Sequence, residues 1–115
     1  MRTSHSNIEL LKHISDEINF ILNTVSGKTK EQFLSDAVIT RATIRSLEII
    51  GEATKKTAPD FRNKYPDIDW KGMAGTRDKL IHDYFGIDYN LVWDIIVSIL
   101  PVLKEQIKQI IETEA

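Results

Sequence analysis

Four stretches of this chain repeat apolar side chains at three- and four-residue intervals, a periodicity that belongs to amphipathic helices and to little else. In the first, Ile8, Leu11, Ile14, Ile18, Ile21, Leu22 and Val25 follow Ser6 or Asn7 as N-cap, and Gly27 stops the run. The second extends from about Glu31 to Thr57 through Phe33, Leu34, Val38, Ile39, Leu47, Ile50 and Ala53, with a break expected near Ser35-Asp36. A short connection from Pro59 to Pro66 has room for one helical turn through Phe61. Asp67 or Asp69 then caps a third helix from about Trp70 to Tyr84, which Gly86 ends. Asp88 opens a fourth, carrying Val92, Ile95, Ile96, Ile99, Leu103, Ile107 and Ile110, and Pro101 inside it predicts a kink or two shorter helices. Strand-period alternation, internal repeats and glycine-rich phosphate loops are absent from the sequence. The expected fold is all-α, a four- to five-helix up-and-down bundle in a single domain over residues 1–115.

Composition narrows the chemistry. Fifteen basic against seventeen acidic side chains leave a net charge of −2, so no chain-wide positive field draws the protein onto nucleic acid, and any phosphate contact must be local. With no cysteine there is no thiolate nucleophile, and three scattered histidines, His5, His13 and His82, make a poor metal cage. Neither a metal nor a cofactor is expected. No run approaches the ~18 apolar residues of a membrane span, and the first residues lack a signal-peptide core. The expectation is a soluble, cytoplasmic protein.

One residue breaks the pattern of the third helix. At about 100° per residue, Trp70, Met73, Ala74, Leu80, Ile81, Tyr84 and Phe85 all fall within about 80° of Arg77. A guanidinium in the middle of an apolar face is costly unless a carboxylate or phosphate meets it, because its charge cannot be shed. Two readings stand: an internal ion pair with Glu48 or Glu52 of the second helix, or a phosphate held where the helices part. On that second helix Arg41, Arg45, Glu48, Glu52 and Lys55 gather into one stripe, either a solvent-facing ladder or the wall of a polar cavity.

Asp78 and His82 lie one turn apart, at the edge of the apolar arc, where a carboxylate can orient one imidazole nitrogen and leave the other for proton transfer. Tyr84 returns to within about 20° of Arg77. Gly72 and Gly75 share the outer side of the helix with His82 and permit close approach of another helix, a candidate dimer seam.

The segment Gly75-Thr-Arg77-Asp78-Lys-Leu-Ile-His82-Asp-Tyr84 resembles the HEPN superfamily, specifically the HepT-like toxins of MNT–HEPN (type VII) toxin–antitoxin pairs. The shared pattern is arginine, a polar residue, three positions, histidine, one position, tyrosine. Arg45-Ser-Leu-Glu-Ile-Ile-Gly-Glu52, Trp70, and Val92-Trp-Asp-Ile-Ile leading to Leu100-Pro101 extend the likeness over nearly the whole chain. The resemblance implies a homodimeric, metal-independent endoribonuclease with Arg77 and His82 catalytic and Asp78 and Glu52 supporting. It also implies an MNT-type nucleotidyltransferase antitoxin that silences the toxin by transferring AMP to Tyr84.

In the implied mechanism RNA enters a cleft between two protomers and Arg77 binds the scissile phosphate. One His82 takes the 2′-hydroxyl proton, and a second His82 or a water protonates the leaving 5′-oxygen. Two other functions are compatible with the residues. The chain is either a non-catalytic nucleotide- or partner-binding subunit of a nucleotidyltransferase complex, which the near-neutral charge favours, or a structural helical dimer with Arg77 as an internal ion pair.

Overall fold

The computed structural model describes residues 6–82 and 86–115, and all of the regular structure among them is helical. Helix α1 spans Asn7–Val25, with the Ser6 hydroxyl accepting the Glu9 amide at 3.1 Å as N-cap, and it gives way to Gly27 at positive φ. Helices α2 (Lys30–Ser35) and α3 (Ala37–Lys56) divide the predicted second helix. The break falls at Asp36, whose carboxylate accepts the Val38 and Ile39 amides at 3.1 and 3.0 Å and so starts α3. A capping box between Thr29 and Gln32 starts α2. Helix α4 is the expected turn after Pro59 (Pro59–Lys64), and α5 covers Trp70–His82 with Asp69, not Asp67, receiving the Gly72 amide at 2.9 Å.

The fourth predicted helix is continuous but not uniform. Helix α6 (Tyr89–Asp94) runs into a π-helical stretch at Ile95–Ile99 and then into α7 (Leu100–Glu114). Proline supplies no amide to the helical ladder, and the wider π spacing, with the Leu100 amide reaching back to the Ile95 carbonyl, sits directly before Pro101.

Helix α1 packs between α3 and α7, and α5 lies against α3 on that helix's other flank. The shared core joins Leu11, Ile14, Ile18 and Ile21 of α1 to Phe33, Leu47, Ile50, Ile96, Leu103 and Ile107. Burial on α5 is sparse: only Trp70 and Leu80 are fully covered, and the Trp70 indole donates to the Tyr65 carbonyl at 2.9 Å. The other flank of α5 opens on an apolar groove of about 410 Å³ towards the π stretch and α7, bordered by Met73, Thr76, Ile95, Ile99 and Val102. No helix of the described residues is long and apolar enough to cross a membrane.

Candidate functional site

Arg77 projects from α5 at the place where that helix comes closest to α3. The contact exists because residue 51 is glycine: a Cβ there would lie 2.0 Å from the Arg77 Cβ and 3.0 Å from the Met73 carbonyl oxygen. A glycine inside a helix costs about 0.5–1 kcal/mol relative to alanine, so close packing of the two backbones is what repays it. The sequence signal for this was available, a buried glycine in the interior of a 20-residue helix, but it identifies a close approach without identifying the partner.

From that position the guanidinium, about one quarter exposed, forms an ion pair with Glu52 at 2.9 Å and donates to Asp78 at 3.0 Å. Asp78 also accepts from Lys55 at 2.9 Å. The Lys55 ammonium first, and Arg77 second, hold the Asp78 carboxyl below the ordinary carboxylate range. Of the two proposed partners for Arg77, Glu52 is therefore the one used, while Glu48 pairs with Arg45 at 3.6 Å. The stripe on α3 proves to be both of its alternatives. Arg45 is largely exposed, yet Arg45, Glu48 and Glu52 also wall a cleft of about 320 Å³ together with Lys56, Arg77, Leu10, His13, Ile49, Ala53 and Ile81.

One expectation needs correcting. Among the described residues no hydrogen bond joins Asp78 to His82; the carboxylate turns instead to Lys55 and Arg77, which offer charged donors on the α3 side. At Gly72 a Cβ would lie 2.1 Å from the Asp69 carboxylate that caps the helix. Its neighbour Gly75 is exposed and nothing lies near it. His82 is exposed at the end of α5, and Tyr84 lies outside the described residues. His13, read from sequence only as one of three scattered histidines, lies in the cleft with Arg77. Its place beside the apolar stripe of α1 gives no indication of which neighbouring helix it faces. No group of three or more His, Cys, Asp or Glu side chains among the described residues is arranged to hold a metal ion.

The cleft and its arginine occur in a chain whose relatives are known. The Ribonuclease HepT-like family matches residues 7–110. This chain belongs to that family, within the HEPN superfamily. A Caldanaerobacter subterraneus protein provisionally named as an RNase is 47% identical over 104 residues, covering 90% of this chain and 93% of that protein. A Methanocaldococcus jannaschii protein with the same provisional RNase designation is 46% identical over 104 residues, covering 90% of this chain and 83% of its own length. A Thermococcus cleftensis protein provisionally named ribonuclease HepT is 39% identical over 110 residues, covering 96% and 98% respectively. No solved structure matches the chain. Arg77 lines the cleft with its charge already met. Its two carboxylate partners occupy the donors that a phosphate would otherwise use, and one face of the group opens on the cleft.

Proposed function

We propose that this chain is an endoribonuclease that cleaves RNA by attack of the 2′-hydroxyl on the adjacent phosphate, without a metal, and that it is the toxin of an MNT–HEPN pair. The observation that carries the reading is Arg77, a permanent cation seated by Gly51 and opening on a cleft large enough for a phosphodiester. Arg77 binds the scissile phosphate and stabilises the charge that develops on it. His82 accepts the 2′-hydroxyl proton. Glu52 and Asp78 hold the guanidinium in place before substrate arrives.

On a straight helix Arg77 and His82 stand about 140° apart, and a groove shared by two chains brings both to one substrate. The apolar groove beside α5, with Ile99 52% and Val102 59% exposed, is the surface we assign to that second copy. Tyr84, two residues beyond His82, is the proposed acceptor of AMP from the nucleotidyltransferase antitoxin. A phenol is a competent nucleophile, and an added phosphate beside Arg77 competes with RNA for the guanidinium.

The test is cleavage by purified protein. RNA should be cut in the presence of excess chelator, leaving a 2′,3′-cyclic phosphate, and the matching DNA should be inert because it lacks the nucleophile. Cleavage of DNA at the same rate, or RNA cleavage that stops with chelator, sinks the mechanism. Co-expression with a neighbouring nucleotidyltransferase should raise the intact mass by one or more AMP units located on Tyr84; AMP found only on another residue removes Tyr84 from the scheme.

A further inference from the structure

Cleavage by the 2′-hydroxyl moves two protons. One leaves the nucleophile as the O2′–P bond forms, and the other must reach the 5′-oxygen as the P–O5′ bond breaks. His82 can serve only one of these at a time. A second histidine is already present in the same chain: His13 of α1 is exposed and lines the cleft that Arg77 opens on, whereas His82 is not among the described residues lining it. The division follows from the helix, since Ile81 faces the cleft and the next residue is turned by about 100°.

We propose that His13 is the general acid of the reaction, donating its proton to the leaving 5′-oxygen while the neutral His82 takes the proton of the 2′-hydroxyl. The inference rests on the ribonuclease reading and replaces a second His82, or a water, with a residue of the chain that binds the phosphate. Both carboxylates and cations lie near it. Glu9 and Glu17 lie one turn to either side on α1. Across the cleft the α3 groups are Arg45, Glu48, Glu52 and Lys56, the α5 group is Arg77, and no described residue of α7 lines it. Those cations have carboxylate partners, Arg45 on Glu48 and both Lys56 and Arg77 on Glu52. After the step His13 is neutral and His82 is protonated; a proton exchanged through solvent resets both.

A leaving-group substitution separates this role from a structural one. The RNA is made twice, once with its natural linkage and once with sulfur in place of the 5′-oxygen at the mapped cut site, because a thiolate departs without being protonated. His13→Gln should slow the natural linkage about 100-fold or more and abolish the alkaline fall of the pH–rate profile, yet cut the sulfur linkage close to the wild-type rate. His82→Gln should be slow on both. His13→Gln with the wild-type rate on natural RNA, or with the same deficit on both linkages, overturns the proposal while leaving the ribonuclease reading intact. Wild-type protein that cuts neither RNA overturns the ribonuclease reading itself, and the assignment of His13 falls with it. Circular dichroism of the variant confirms the fold, and the exposed position of residue 13 makes its retention the expected result.

Discussion

Two ionic clusters of similar bond length sit at opposite ends of α5's approach to the bundle. At one, Lys55 and Arg77 meet Asp78 and Glu52 at 2.9–3.0 Å. At the other, Lys64 donates to Glu114 at 2.8 Å and the Tyr65 hydroxyl donates to the same carboxylate. Pair geometry does not distinguish them. Their surroundings do: the cleft at Arg77 is lined by three cations against two carboxylates and adds an imidazole, whereas Lys64 is the lone cation of a smaller pocket of about 230 Å³ beside it. The first cluster faces a cleft that a ligand can enter. The second is spent on tying the end of α7 to the segment that leads into α5.

The sharpest way to break this distinction is to remove one member of each cluster. Arg77→Ala should lower RNA cleavage about 100- to 1,000-fold, the loss expected when a fixed donor to a developing charge is deleted. Glu114→Ala should leave cleavage within about twofold of wild type, as ordinary surface substitutions do. Comparable losses in both variants, measured under single-turnover conditions, would mean that the two clusters belong to one structural network and that Arg77 holds no special position.

A smaller effect is expected from Gly51→Ala, which leaves the charged groups of both clusters in place. The added methyl meets the Arg77 Cβ, not the free end of its side chain, so α5 must move away from α3. Overpacking of this kind costs about 1–3 kcal/mol, and displacing the guanidinium by about 1 Å can lower the rate by up to about 100-fold. Denaturant unfolding and cleavage rates should fall together. Full stability with lost activity would instead assign Gly51 a place in the substrate path.

The helices were readable from apolar spacing and caps, including the division at Asp36 and the irregularity ahead of Pro101, because these depend on neighbours in the chain. Arg77 was readable as an anomaly for the same reason. What a linear reading could not settle was partnership between helices: that Glu52 and not Glu48 takes Arg77, that Asp78 turns from His82 to Lys55, and that His13 shares the cleft. Each depends on the rotation of one helix about its axis relative to another, which periodicity leaves open by a turn or so. The family pattern supplied His82 and Tyr84, and neither stands out by geometry.

The smallest expected effect concerns the second cluster and its pH limits. Lys64, and after it Tyr65, holds the Glu114 carboxyl below the usual range, so the stability it contributes is present above the unfolded carboxylate pKa and is lost as pH falls through the lower, folded value. Hydrogen bonding to Glu114 raises both Lys64 and Tyr65, whose contributions are complete below their unfolded values and are lost as pH rises through the folded ones. The tether should therefore hold across a neutral window and loosen at either end. The difference in Tm between wild type and Glu114→Gln should be widest near neutrality, modest because the Lys64 side chain is largely exposed to water, and should close in both acid and strong alkali. At Asp78 the carboxyl is likewise lowered, so an Asp78→Asn difference should close as pH falls through the folded value. A Glu114→Gln difference that persisted in strong alkali would show that the ammonium and the phenol do not depend on that carboxylate, and the tether would lose its electrostatic basis.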